Sequence, residues 1–136
     1  MSLTFSETPD HIVIPTRVSL AAYGAVLHTL VGSAALAAGA NDLDAAAVPA
    51  GKLHVYTSLA MRYDGTVATV ILRAQLRSGV TSYDLFCQTP PVSSISHDRQ
   101  GWWVLAEGDV LRLRVENATL NDDAYLYGNG FVVDLT

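Results

Sequence analysis

At 136 residues the chain can enclose one hydrophobic core but not two. A formal charge of −5, with eight Lys and Arg residues in all, excludes the clustered cationic surface that a nucleic-acid backbone requires, so no nucleic-acid partner is expected. Half of the residues are hydrophobic and 15% are charged, which points to surface buried against partners, yet no run approaches the ~20 apolar residues of a membrane span and no membrane partner is expected.

Residues 1–10 are polar and acidic, lack the basic and apolar regions of a secretory signal, and read as an extended N-terminal arm ended by Pro9-Asp10. His11–Ile14 is a short β-branched run stopped by Pro15, and Arg17–Leu20 and Ala25–Val31 are further strands, punctuated by Gly24 and Gly32. The alanines of residues 33–48 favour helix, with Ser33 placed to cap it. Gly39 and Asn41-Asp42 interrupt that helix after about two turns, too short to stand without tertiary packing. The segment therefore reads as a loop with at most one helical turn, ending at Pro49-Ala50-Gly51.

From Lys52 onward a period of two takes over, the mark of half-buried antiparallel strands. Val55, Thr57, Leu59, Met61 and Tyr63 share the parity assigned to the core; Lys52, His54, Tyr56, Ser58 and Arg62 take the surface. Asp64-Gly65 reads as a hairpin turn returning as Thr66–Arg77. Ser78-Gly79 then leads into Thr81–Gln88, which Pro90-Pro91 ends. Residues 92–100 form a polar loop before the strand Trp102–Leu105. Glu107-Gly108-Asp109 turns into Val110–Asn117, where Leu111, Leu113 and Val115 oppose Arg112, Arg114 and Glu116. Asn121-Asp122-Asp123 makes the last turn before Ala124–Leu135. About eight strands at this spacing, with no repeat or dividing linker, predict an all-β fold: a single antiparallel β-sandwich over residues 11–136 behind the 1–10 arm. A jelly roll and another Greek-key sandwich share these local signals.

Chemistry-bearing residues are sparse. His11, His28, His54 and His97 stand alone with no H-x-H pair, so the metal site of a cupin-like barrel is not expected, and His54 reads as solvent-facing. Asn41-Asp42-Leu43-Asp44 and Asn121-Asp122-Asp123 lack the spacing of a calcium loop and consist of turn-forming residues. Ser94, Ser96, His97 and Asp98 have the residue types of a hydrolase triad, without the glycines of a nucleophile elbow. Asn117-Ala118-Thr119 is formally a glycosylation sequon at a strand end. Cys87, the single cysteine, excludes a disulfide framework and, between apolar neighbours, reads as a small buried hydrophobe. No catalytic residue, metal or cofactor is expected, and the chain reads as non-enzymatic.

Aromatic residues are more promising. Trp102 and Trp103 are adjacent in a strand and face opposite sides, so one indole enters the core and the other meets solvent or a partner. Tyr125 and Tyr127 share one face of the last strand and can extend that patch.

Three stretches, 48–59 (VPAGKLHVYTSL), 105–115 (LAEGDVLRLRV) and 121–133 (NDDAYLYGNGFVV), each join a turn to an alternating strand. In this they resemble the jelly-roll or TNF-like β-sandwich accessory proteins of bacteriophage virions, over about two thirds of the chain. The resemblance implies a jelly-roll-like sandwich and a homotrimer. It also implies a role as a capsid decoration or cement protein, or a head or tail appendage, that binds the major capsid protein or another virion protein. Such a protein is made in the host cytoplasm, is not secreted, and ends on the capsid surface. Phe5, Pro9 and Ile12 of the N-terminal region, Leu36 and Leu43 of the Ala-rich segment, and Trp102, Trp103, Tyr125 and Tyr127 are the expected partner-binding residues. The alternative is a carbohydrate- or receptor-binding module, with an exposed Trp and the 92–100 loop as its site.

Overall fold

Eight strands and no helix make up the regular structure of residues 23–135, the part of the chain described by the computed structural model. They are β1 (Tyr23–Ser33), β2 (Gly39–Asp44), β3 (Lys52–Asp64), β4 (Ile71–Ser78), β5 (Thr81–Gln88), β6 (His97–Leu105), β7 (Val110–Ala118) and β8 (Asp123–Asp134). The expected arm and the strands expected at 11–14 and 17–20 lie outside the described residues, as do Phe5, Pro9 and Ile12.

Two four-stranded antiparallel sheets face each other, one in the order β1-β8-β3-β6 and the other β2-β7-β4-β5. Strand 1 pairs with 8, 2 with 7, 3 with 6 and 4 with 5, the pattern of one long ribbon rolled over itself. The β3–β8 and β4–β7 pairings then close each sheet. That is a jelly roll, and it decides between the two sandwiches the sequence left open.

The core is the inner face of both sheets. Leu59, Met61, Tyr63 and Leu126 of the first sheet meet Leu72, Leu111, Leu113 and Val115 of the second, all essentially without solvent contact. One end of the sandwich is tied by Asp122. Its side chain accepts from the Tyr63 hydroxyl (2.8 Å) and the Thr66 N–H (2.9 Å), and its carbonyl accepts from the Leu36 N–H (2.8 Å).

Several elements differ from the sequence reading. Residues 39–44 are an edge strand rather than a loop or helical turn, because Leu43 packs inward while Asp42 and Asp44 reach arginines on β7. Asp64-Gly65 is not a hairpin turn: β4 starts only at Ile71 and belongs to the other sheet, with Val67 and Val70 packed into the core along the crossing. Residues 97–100 extend β6 rather than forming loop. The tight hairpin between β4 and β5 stands as read, turning through Gly79, whose φ is 62°.

A register shift between Tyr56 and Ser58 inserts Thr57 as a bulge in β3. It reverses the parity of the strand's first half. Tyr56 therefore joins Leu59, Met61 and Tyr63 in the core, while Val55, assigned inward from the sequence, faces out. His54 follows Tyr56 to the inner side and is half-buried rather than solvent-facing.

Candidate functional site

The outer faces of the two sheets have opposite chemistry. On the first sheet the register places Val26, Phe131, Val55 and Val104 side by side, one from each strand, in a row across all four. Leu53 and Val133 continue the apolar surface on one side. Trp102 covers the row: its indole meets Phe131 edge-on at 5.5 Å across the intervening β3, and Val55 is 4% exposed although it points outward.

The next rows alternate in character. His28, Asn129, Ser58 and Gln100 form a polar row, in which the His28 Nδ1–H donates to Asn129 Oδ1 (2.6 Å). Leu30, Tyr127, Ala60 and Asp98 follow. Val26 (71%), Leu30 (64%), Trp102 (64%), Val104 (46%) and Tyr127 (37%) remain exposed on this one face. An apolar centre with aromatic anchors beside polar groups is the anatomy of a protein interface.

The outer face of the second sheet is a closed ion-pair network. Arg112 binds Asp44 (2.6 Å), Arg114 binds Asp42 (2.8 Å), and Arg73 binds Asp84 (2.6 Å). Arg73 and Arg114 sit opposite each other, and Glu116 accepts from both at 3.0 Å, which offsets their repulsion. Arg77 reaches Asp44 at 3.5 Å. Four guanidiniums and four carboxylates leave the network without net charge. The paired carboxylates push the pKa values of Arg73, Arg112 and Arg114 up, and hydrogen bonding from Arg112 holds Asp44 below its ordinary value. The charges of this face are largely paired among themselves, although the Arg77 Nε is buried without a hydrogen-bond partner among the described residues, so the face offers little to a charged ligand. The Asn41–Asp44 cluster, read as turn-forming, serves this network.

A cavity of about 330 Å³ opens between β1 and the 45–49 connection. Thr29, Tyr56 and His54 line it together with Ala45, Ala46, Ala47 and Pro49, and the Thr29 and Tyr56 hydroxyls are 2.7 Å apart. Burial, with the Lys52 charge, holds His54 below its ordinary pKa, so the imidazole is neutral at pH 7.

The expected binding residues divide accordingly. Trp102 and Tyr127 lie on the apolar outer face, and Tyr125 flanks Tyr127 with ring centroids 6.4 Å apart. Trp103 turns inward against the core, as the strand alternation predicts for one of the pair. Leu36 is 1% exposed and belongs to the core, and Leu43 packs half-buried against it, so neither is a surface contact. Cys87 is exposed on an edge strand rather than buried. The triad residue types do not converge into a triad: His97 Nε2 accepts from the Val92 N–H at 2.9 Å, and Asp98 lies on the outer face of β6. No group of three His, Cys, Asp or Glu able to hold a metal ion occurs among the described residues.

Sequence reasoning missed Val26, Leu30, Val55, Val104 and Phe131. Residues 25–27, 102–105 and 131–133 are apolar at both parities, the pattern of strands covered on both faces, and that signal could have found most of them. Compared with protein-family models, with curated proteins and with solved structures, the chain matches none of them.

Proposed function

We propose that the protein is a non-enzymatic structural component of a larger assembly, a decoration or cement protein of a virion shell, and that it acts by burying the outer face of the β1-β8-β3-β6 sheet. One observation carries this reading: five large apolar side chains stay exposed on that face, while the opposite face satisfies its own charges. Large apolar side chains exposed in two rows of one sheet face, with a polar row between them, mark an interaction surface. Burying it stabilises the assembly without chemistry, each added copy opposing separation of its neighbours. The virion context comes from the resemblance of the three turn-and-strand stretches; the face supports the assembly role itself.

Sedimentation of the native protein from its source lysate tests the proposal. Pelleting with a large particle at near-stoichiometric copy number is the expected result; a small, freely soluble species overturns it. The exposed Trp102 indole favours a second reading, a glycan-binding platform. On that reading Trp102→Ala abolishes glycan binding and keeps the fold, and a wild-type protein that binds no glycan on an array disposes of it.

A further inference from the structure

We propose that the cavity between β1 and the 45–49 connection is a binding site for an uncharged polyhydroxylated ligand, a single sugar ring, either free or at the end of a glycan. The cavity opens at the β1 edge of the first sheet, whereas Trp102 belongs to β6 at the other edge. The site is therefore separate from the outer-face platform and does not depend on the role proposed for that face.

Shape is the first argument. Ala45, Ala46 and Ala47 line the cavity in succession and contribute only methyl groups. Backbone bonds pin this wall at both ends: the Ala45 N–H donates to the Leu111 carbonyl (2.9 Å) and the Val48 N–H to the Asp109 carbonyl (2.9 Å). The space is thus preformed, and its volume of about 330 Å³ falls at the lower end of the roughly 300–1,000 Å³ of small-molecule sites. A ligand of one ring matches that volume.

Chemistry is the second. No Lys, Arg, Asp or Glu lines the cavity, so a charged ligand would shed its hydration there without a counter-charge. The polar lining is the Thr29 and Tyr56 hydroxyls and the His54 imidazole; His28 also lines it, with its Nδ1–H committed to Asn129 (2.6 Å). Burial lowers the His54 pKa and raises that of Tyr56, so both groups are neutral at pH 7. A hydroxyl and a neutral imidazole each offer both a donor and an acceptor. The Thr29–Tyr56 bond (2.7 Å) uses one O–H and leaves the other, with further lone pairs, for a ligand. Among the described residues β1 pairs only with β8, so alternate residues along it turn backbone N–H and C=O groups away from β8, on the side where the cavity lies. Ligand hydroxyls, themselves donors and acceptors, satisfy such a set better than a carbonyl or an amine does. The C–H face of a sugar ring then meets Leu30, Pro49 and the alanine methyls, the usual mixture of apolar wall and few polar groups.

The test is a two-dimensional NMR titration of the full chain with glucose, galactose, mannose and N-acetylglucosamine, their methyl glycosides, and glucuronate. A neutral sugar is expected to shift the amides of residues 28–30, 45–49 and 54–56, with a dissociation constant on the order of 1 mM, as for a ligand of about a dozen non-hydrogen atoms. Thr29→Val and His54→Phe are each expected to weaken binding about 10-fold, the effect of losing one well-placed hydrogen bond. Circular dichroism checks that each variant is folded, and either one alone carries the test. Equal binding of the methyl glycoside identifies the end of a glycan and its exclusion identifies a free sugar; the inference stands in both cases. No shift at these amides with any neutral sugar overturns it, as does glucuronate binding more tightly than every neutral sugar. Binding that Trp102→Ala removes and both cavity variants keep also overturns it, and places the sugar on the outer face. Sedimentation with a particle reads the assembly role independently, so the two can fail separately.

Discussion

Gly130 lies in the middle of β8, opposite Tyr56 on β3 and Leu27 on β1. A Cβ there would overlap the carbonyl oxygen of Val55 and stand 2.8 Å from its carbonyl carbon and 2.9 Å from the Tyr56 Cα. All three atoms are backbone, so no rotamer change relieves the clash in Gly130→Ala. Separating the strands by about 1 Å at this point would, at their spacing of about 4.8 Å, stretch the local hydrogen bonds beyond useful length. Roughly two ladder bonds at about 1 kcal/mol each are then at risk. Overpacking adds about 1–3 kcal/mol. The expected loss is about 3–5 kcal/mol, a large share of the ~5–15 kcal/mol that holds a domain folded. For a chain of this size the midpoint temperature falls by about 10–20 °C.

Urea unfolding followed by tryptophan fluorescence, with a thermal scan by circular dichroism, measures the effect. Gly79→Ala is the comparison. Gly79 has a φ of 62° and nothing within 4 Å of its added Cβ, so only left-handed backbone strain of about 1–2 kcal/mol applies. A Gly130→Ala protein within about 1 kcal/mol of the wild type, or no worse than Gly79→Ala, would refute this account of the β3–β8 contact.

Other expectations bear on separate parts of the molecule. Tyr63→Phe removes a hydroxyl that donates to Asp122 and accepts from the Thr119 N–H (3.1 Å) inside a fully buried site, and should cost about 1–3 kcal/mol in urea unfolding; a neutral result would show that water replaces it. Hydrogen bonding from Arg112 lowers the Asp44 pKa from its ordinary 3.8. The resulting stability is fully present above pH 3.8 and is lost as pH falls through the folded-state value. The advantage of the wild type over Asp44→Asn should therefore shrink below about pH 4, and an advantage that stays constant down to about pH 2 contradicts the pairing. Cys87 should react with a disulfide reagent in the native protein without denaturant. A thiol that reacts only after unfolding would place it inside.

Strand character was readable locally, because a period of two needs no knowledge of distant residues. Thr81–Gln88 was read with its observed limits, and Val110–Asn117 and Ala124–Leu135 to within a residue or so of theirs. The opposite orientations of Trp102 and Trp103 follow from the same alternation. Pairing, by contrast, is a property of residues far apart. Asp64-Gly65 has the composition of a hairpin, yet Val67 and Val70 bury in the gap between sheets and carry the chain across. Residues 39–44 resemble a turn until Asp42 and Asp44 meet Arg114 and Arg112, about 70 positions later, and Leu43 meets Leu113. The Thr57 bulge carries no local mark; it exists because β3 must register with β6 and β8 together, and it decides that Tyr56 rather than Val55 enters the core. The outer face has the same origin. Tyr125 and Tyr127 were placed together by their spacing, but Val26, Val55, Val104 and Phe131 come from four separate strands. Local sequence determined which segments would be extended and which side chains alternate; only the tertiary register decided which of those alternating sets were brought together, because hydrogen-bonded neighbours in a sheet are chosen by the whole roll of the chain.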